Sequence, residues 1–577
     1  STAGGAALLS VYGVKLGTPP EDFAHAGLII AWGANVHGNN VHLWPFIEEA
    51  RRKGAKLVVI DPYRTRTAAL ADEHLAINPG TDAALALGMM HAIFSMGLED
   101  CEYIARCTTG FDELKAHALR PEHAPEKVAA ATGIAAETIV RLARNYAMAG
   151  RAGASRQAEG IKQAEGSGPA VIRLNYGIQR SENGGTAARA VCMLPLLTGA
   201  WRYKGGGLQL STSGSFPFND KALQMPELMQ ASALGRAARV VNMSLLGQAL
   251  TSLGGEEKDG RAEDGPPVKA LFVYNSNPAA IAPNQNDVLR GMRRDDLFTV
   301  VHEQFFTDTA DYADVLLPAP TFLEVKDVQG AYGHLFTQVS ERAIAPLGEA
   351  RSNVALFGEL GRRMGFAEAC FDDREDALID QALETDDPWF AGITRERLER
   401  EGHVPLQLPV NAAGEVLPFS TPEWFRTPSG RGELVPVPVF TAPTESRAHA
   451  AEGAYPLEFL PRKADNYMNS TFANLPAHQR MEARTAGVLE MHGTDAAARA
   501  IVTGDEVEVF NGRGRVALKA LVNAQVSAGV VAARLDWNKL SAGGGNVNAL
   551  TSETLTDMGG GPTFYSTLVE VRKVLRD

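Results

Sequence analysis

Cysteine is scarce in this chain and badly placed for the tasks cysteines usually share. The 577 residues hold four (Cys101, Cys107, Cys192 and Cys370), none in a C-x-x-C spacing. That excludes a Cys₄ iron–sulfur site at the usual spacings and a secreted disulfide framework, and leaves buried thiols as the reading. No run of about eighteen apolar residues is present, so no direct membrane span is expected. Positive charge is in deficit: the net charge of −13 lacks the basic footprint of a nucleic-acid binder. An acidic chain suits either cytoplasm or periplasm. No G-x-G-x-x-G fingerprint occurs, which disfavours a generic NAD enzyme. There is no initiating Met and no signal peptide; the chain opens on Ser1-Thr2-Ala3-Gly4-Gly5, as if within a loop, so a segment upstream is expected.

What the sequence does have is an internal repeat. Asn35, Asp61, Thr67 and Asp72 recur as Asn277, Glu303, Thr309 and Asp314, each pair 242 residues apart. Around them Leu28 to Trp32 answers to Ala270 to Tyr274, Lys56 to Ile60 to Phe298 to His302, and Ala68 and Ala71 to Ala310 and Ala313. Each copy reads as a buried strand, a turn, a helix, a second buried strand ending at a carboxylate, and a Thr-containing loop. That is half of a nucleotide-binding α/β unit, built twice, and it predicts two nucleotides or one large cofactor with two nucleotide ends.

The length calls for several cores. The expected divisions are 1–195 and 196–450, two pseudo-symmetric Rossmann-like parallel-sheet domains of α/β class, and 451–577, a β-rich domain read as a barrel. In the first, Leu28 to Ala31 is continuously apolar, as in a sheet covered on both faces. Val41 to Arg52 carries a helical pattern stopped by Gly54, and Leu75 to Ile77 is a third strand. Asp82 or Thr81 caps a helix, Ala170 to Leu174 is a strand, and Asn183-Gly184-Gly185 is a glycine-rich loop. Ala149 to Gly168 and Gly254 to Pro267 read as surface insertions, and Val404 to Tyr455 as an extended connection. Ala500 to Val509 and Arg515 to Val522 read as strands of the last domain.

The repeated positions suit nucleotide chemistry. Asn35 and Asn277 follow a first strand, where the crevice outside the strand ends accepts ligands. Asp61 and Glu303 end the second strand, where carboxylates hold ribose hydroxyls; a carboxylate also suits the two adjacent N–H donors of guanine. Arg64, Thr65 and Arg66 are placed to meet phosphates. In a single copy, Asn after a strand is a common turn residue and Asp-Pro a common terminator; recurrence in constant register favours the ligand reading. His37, His42 and His334 are loop histidines open to acid–base or structural roles.

Several of these segments together resemble a known family. Ile60-Asp61-Pro62-x-x-Thr65-x-Thr67-Ala68-x-x-Ala71-Asp72 with Gly80-Thr81-Asp82-x-Ala84-Leu85 is similar to the molybdopterin oxidoreductase superfamily of dimethyl sulfoxide reductase and formate dehydrogenase type. So are Thr307-x-Thr309-Ala310-x-x-Ala313-Asp314-Val315-Leu316-Leu317-Pro318 and Asn183-Gly184-x-x-x-x-Arg189 with Leu196-Leu197-Thr198-Gly199. Thr494-Asp495-Ala496-Ala497 through Gly504-Asp505-x-Val507, and Asn548-Ala549-Leu550-Thr551, complete the set, in order, over essentially the whole chain.

The resemblance implies a bis(molybdopterin guanine dinucleotide) cofactor carrying molybdenum or tungsten. On matching positions Asn35, Asp61, Gly80 and Asp82 serve one dinucleotide and Asn275, Asn277, Glu303 and Asp314 the other, with Thr65, Gly177 and Thr307 as further contacts. Arg462, Asn466, Asn469, Asn548 and Tyr565 are implied in the cap over both pterins; Tyr467 and His492 beside them read equally as core or turn residues. Two departures stand out: the family's cysteine-rich [4Fe–4S] domain is absent from this sequence, and by register the metal ligand falls immediately before Ser1, or on Ser1 if the register slips by one. The [4Fe–4S] cluster is then expected in a missing N-terminal segment or a partner. Arg189 matches an arginine of the family's formate dehydrogenases and is the candidate catalytic residue for an anionic substrate. Ser1 stands where their histidine would be, and Trp201 to Gly207 replaces their usual run, so formate is not favoured. The implied function is the catalytic subunit of an oxidoreductase exchanging an oxygen atom or hydride with a small substrate, electrons leaving through an iron–sulfur electron-transfer subunit. The alternatives are a cofactor-free scaffold subunit of a respiratory complex and a non-redox hydratase or transhydroxylase.

Overall fold

The computed structural model describes residues 2–150, 168–253, 266–450, 453–536 and 545–574. Most of both expected surface insertions, and Ser1, lie outside the described residues. After helix α1 (Thr2–Tyr12), the first sheet comprises β1 (Leu28–Trp32), β2 (Lys56–Ile60), β3 (Glu73–Leu75), β4 (Ala170–Leu174) and β5 (Gly207–Gln209). Its order is β3-β2-β1-β4-β5, all parallel. Every residue of β1 and β4 is buried, which is why β1 reads as an unbroken apolar run; β4 is apolar but for Arg173. β3 ends two residues earlier than expected.

Helices α2 (Val36–Asn39) and α3 (Trp44–Arg52) follow β1, α4 (Arg66–Leu70) follows β2, and α5 (Asp82–Ser95) follows β3. The helix expected from Val41 starts at Trp44, with Pro45 in its first turn, a position that needs no N–H.

Helix α6 (Gly184–Thr198) corrects the reading of Asn183-Gly184-Gly185 as a loop. Two glycines in a first turn weaken a helix, but crowding requires them: a Cβ on Gly185 would stand 2.4 Å from Met558 Cβ, and one on Gly184 2.7 Å from Gln179 Cα. The Asp557 carboxylate compensates, accepting the N–H groups of Gly185 (2.8 Å) and Thr186 (3.1 Å), as an N-cap supplied from elsewhere in the chain. The division expected at 195 falls inside α6, and β5 carries the first sheet to Gln209.

The second copy forms a separate parallel sheet, β6 (Ala270–Tyr274), β7 (Phe298–Glu303) and β8 (Val315–Pro318), in that order, with α7 (Pro278–Ile281) and α8 (Gln285–Met292) between the first two. Here the expectation of buried strands needs correcting: of β6 only Val273 is fully buried. β1 sits between two neighbours, whereas its counterpart β6 is an edge. Asp327–Gln329, Phe336–Ser340 and His403–Pro405 form a three-stranded antiparallel sheet of their own.

The C-terminal strands β9 (Leu457–Arg462), β10 (Val488–Met491), β11 (Glu506–Phe510), β12 (Arg515–Val522), β13 (Val530–Arg534) and β14 (Leu568–Lys573) close a barrel in the order β9-β13-β10-β12-β11-β14. Alternation along β12, whose even-numbered residues from Val516 to Ala520 face the barrel core, is what made it legible. Ala500 to Asp505, expected within a strand, is a turn. Among the described residues no helix is long and apolar enough to cross a membrane. Of the four free cysteines Cys107 and Cys192 are buried, Cys370 is partly so, and Cys101 is exposed, which corrects its reading as a buried thiol.

Candidate functional site

The two copies share more than residue types. Gly33, just past β1, has φ +56°, and Asn275, 242 residues later, has φ +52°: both turns pass through the left-handed region, where glycine and then asparagine are the tolerant residues. Next, Asn35 Oδ1 accepts Thr67 Oγ1 and N, and Asn277 Oδ1 accepts Thr309 Oγ1 and N. Thr67 Oγ1 accepts the His37 N–H and Thr309 Oγ1 that of Ala279. Thr65 and Thr307 cap the turns that follow, accepting from Ala68 N (3.1 Å) and Ala310 N (3.4 Å). The duplicated Asn and Thr side chains thus lock the strand-end loops together, which fixes where the carboxyl edge of each sheet opens.

Asp72 and Asp314 repeat as well, but at the other edge. Each carboxylate accepts the N–H of a residue near the start of the second strand, Leu57 (2.9 Å) or Thr299 (2.7 Å). Asp314 therefore lies at the amino-terminal edge of its sheet, away from the crevice, and is not placed as a cofactor contact.

At the first carboxyl edge the structure gathers Asp61, Asp82, Arg462 and Tyr565. Burial pushes the Asp61 carboxyl up to about 7, the Tyr63 N–H (2.9 Å from Oδ1) opposing and the Asp82 charge adding to it. Burial likewise lifts Asp82 to about 6 against the hydrogen bond from Trp32 Nε1 at 2.7 Å. Asp82 is thus the first residue of α5, its side chain turned to Trp32 and not used as a cap; Thr81 gives its hydroxyl to the Asn78 carbonyl. Tyr565, its phenol pushed up by burial, feels Arg180, Asp61 and Arg462. Arg462 stacks on Tyr63, 4.3 Å from the ring centre, and donates to Glu490 (2.9 Å), while its buried Nε has no partner.

Three residues in this cluster went unpicked in sequence. Arg180 packs over Phe564 and has no carboxylate acting on it. Lys463 is pulled down to about 8 by burial and by Arg180, and its ammonium reaches Asn469. Asn183 gives both amide hydrogens to the carbonyls of Gly80 (2.8 Å) and Thr441 (2.7 Å) and leaves a buried Oδ1 without a partner. Gly80 (φ +72°) has no room for a Cβ against Pro443, and Gly177 none against the Gly33 carbonyl. Lys463 directly follows Arg462, and Arg180 lies between Gly177 and Gly184; the signal was adjacency to residues already chosen.

At the second edge, Glu303 is half-buried and raised by burial, with Oε1 accepting the Gln304 N–H at 2.7 Å. Asn277 Nδ2 is spent on Asp308 (3.0 Å), while Asn275 is exposed. Asn548 closes this side from the barrel region, giving Nδ2 to the Ala280 carbonyl at 3.0 Å. Asn466 is not aimed into either crevice: its N–H and Nδ2 both go to the fully buried Glu482.

Arg189, the candidate catalytic residue, is held by α1 and the Pro436 segment. It lies inside α6, with Nε on Ser10 Oγ (3.1 Å) and Nη1 on the Pro436 carbonyl, and a buried Nη2 without a partner. Ser10 is eight residues along α1 from Thr2, about 12 Å by helical rise, so Arg189 braces the far end of α1. Of the loop histidines, His37 packs edge-on against Trp44 and His334 accepts the Phe336 N–H. Among the described residues no three His, Cys, Asp or Glu side chains group to hold a metal ion.

The cluster has the donor set of a nucleotide cofactor. Asp61 and Asp82, lifted by burial, each accept an N–H from another residue, and a guanine edge could supply more; no carboxylate acts on Arg180 or Lys463, which a pyrophosphate would suit.

The family profile described as Molybdopterin oxidoreductase matches residues 5–363, and that described as Molydopterin dinucleotide binding domain matches 457–568. The Bacillus subtilis protein named Probable oxidoreductase YoaE is 36% identical over all of this chain and 78% of its own length. Dimethyl sulfoxide reductase DmsA of Escherichia coli is 26% identical over 97% of this chain and 73% of its own. Among solved structures, acetylene hydratase from Pelobacter acetylenicus superposes with a TM-score of 0.75 at 23% identity, covering 99% of this chain and 81% of that one, which shows a shared fold.

Proposed function

The chain belongs to the molybdopterin oxidoreductase family, and on that premise we propose that it is a catalytic subunit holding two molybdopterin guanine dinucleotides, one at each repeated carboxyl edge. Family membership makes it an oxidoreductase with a molybdopterin cofactor carrying molybdenum or tungsten. The observation that supports the finer reading is the duplicated Asn–Thr lock, which recurs beside the second-strand ends that carry Asp61 and Glu303.

In this reading Asp61 and Glu303 accept the N–H edge of a guanine or the hydroxyls of a ribose. Arg180 and Lys463 neutralise the pyrophosphate of the first dinucleotide, with Gly80, Gly177 and Asn183 as its close backbone and amide contacts. Asn35, Asp82, Arg462, Asn469 and Tyr565 complete that side; Asn275, Asn277, Thr307 and Asn548 shape the other. When bound, the cofactor supplies oxygen-atom or hydride exchange with a small substrate; the protein supplies position and field. The four cysteines are free thiols and scattered; in this reading the electrons leave through an iron–sulfur centre in an upstream segment or a partner.

The test is metal and nucleotide analysis of the natively purified protein. About one Mo or W and two GMP released by acid hydrolysis per chain are expected, with Asp61→Asn or Glu303→Gln each lowering the GMP toward one. A single GMP in the unaltered protein would sink the two-nucleotide reading, and the absence of both metals would sink the catalytic one.

A further inference from the structure

Arg173 is a buried cation without a counter-charge. It lies in β4, 1% exposed, in register with Ala31 of β1 and Gln209 of β5. Its Nη1 is shared by the carbonyls of Leu174 (2.5 Å), Gln209 (3.0 Å) and Leu210 (2.5 Å), where β4 and β5 end. The guanidinium therefore spans the carboxyl edge of the sheet, the edge at which ligands bind in such folds. Its Nε is buried with no partner, and among the described residues Nη2 forms no hydrogen bond either. The ionisable groups whose charge acts on it are two phenols, Tyr176 and Tyr332, and no carboxylate. Carbonyl dipoles orient a guanidinium but do not neutralise it, and an uncompensated buried charge is a strong demand for an anion.

Its neighbours place it relative to α1. The Leu210 side chain packs on Gly4, where an added Cβ would stand 2.7 Å from Leu210 Cδ2. Gly4 N in turn donates to Gln179 Oε1 at 2.8 Å. Arg173 is thus at the start of α1, the end opposite Arg189. A loop carrying Tyr332, itself 46% exposed, folds over this place and is pinned by the Thr212 hydroxyl to the carbonyls of Ala331 (2.7 Å) and His334 (3.0 Å).

We propose that Arg173 holds the negative charge of the substrate, a compact oxygen-bearing anion, at the α1 end of the crevice. The planar fork offers Nε and Nη2 as a bidentate pair while Nη1 stays anchored to the sheet. This rests on the family reading above, and the test separates the two. Mo or W is first measured in cofactor-loaded wild type, Arg173→Gln and Arg173→Lys. Melting temperature is then followed as nitrate replaces chloride at constant ionic strength. In the loaded wild type nitrate raises the midpoint with saturation; Arg173→Gln abolishes the response, and Arg173→Lys, which keeps charge but not the fork, shifts its half-saturation about tenfold upward. If Arg173→Gln does not fold, Arg173→Lys decides alone. An unaltered response in Arg173→Lys, no response in loaded wild type, or a response confined to cofactor-free protein overturns the proposal, the last by giving the cation to the cofactor. Absence of metal throughout is instead a failure of the family-level chemistry.

Discussion

Asn277 Oδ1 accepts both the hydroxyl and the backbone N–H of Thr309, at 2.7 and 3.0 Å. The same pair of bonds joins Asn35 to Thr67 at 3.0 and 3.3 Å. An asparagine read as a ligand contact is in both copies first a clamp between two strand-end loops. Its carbonyl is committed to threonine, so the amide NH₂ is the end left to face outward; at Asn277 that end orients Asp308.

The clamp makes the threonine hydroxyls structural in a measurable way. Thr309 is fully buried, and Thr309→Val removes the hydroxyl that accepts the Ala279 N–H and donates to Asn277 Oδ1. The expected cost is about 1–3 kcal/mol, read as a lower apparent midpoint in urea, since a chain of this size need not unfold in one step. Thr67→Val acts on the first unit alike. Unchanged midpoints in both variants would remove the clamp from the account.

Asp61 gives a pH dependence whose sign is fixed. Its folded pKa, about 7, lies above the ordinary carboxylate value. Stability from this group is therefore full at low pH and is lost as pH rises through the window from about 4 to 7. Cofactor-free protein should lose melting temperature across that window, and Asp61→Asn should flatten the loss, its gain over wild type being larger at pH 8 than at pH 5. Asp82, lifted to about 6, keeps part of the slope in the variant. An equal gain at both pH values would show that Asp61 ionises without penalty.

Glu490 ties the barrel to the first crevice. It accepts the Tyr63 hydroxyl (2.8 Å), Arg462 Nη2 (2.9 Å) and Asn523 Nδ2 (3.2 Å) while 8% exposed. Beside it Arg64 N donates to the Gln525 carbonyl at 2.9 Å. Glu490→Ala takes the carboxylate from the half-buried Arg462 and the acceptor from Tyr63, so the variant should lose about 1–3 kcal/mol and be cut by protease between the α/β units and the barrel. Retained protease resistance would place the docking energy elsewhere.

The α/β class and the barrel were legible because their signals are local: a continuous apolar run for β1, alternation for β12. The duplication was legible because a constant offset survives in the letters alone. What escaped is whatever depends on a distant segment. The glycines at 184 and 185 look like a loop until Asp557 arrives to cap them and Met558 to crowd them. Asp314 carries the same family signature as its neighbours, yet strand direction puts it at the wrong edge. Arg180 and Lys463 meet only when the barrel closes on the first sheet.

Arg189 is the sharpest of these cases, and it separates two outcomes. Read beside a glycine-rich loop, it is a substrate cation; in the structure it is a strut between α6, Ser10 of α1 and the Pro436 carbonyl. Burial also makes its charge costly, lowering its pKa. A strut and a substrate cation respond differently to substitution. Arg189→Gln strips the brace from the end of α1, so thermal stability should fall by the equivalent of about 1–3 kcal/mol. KM for an anionic substrate should stay within about twofold, because no interaction with the reacting molecule is removed. A rise in KM of tenfold or more at unchanged stability would return Arg189 to the site, and with it the loop reading that the helix displaced.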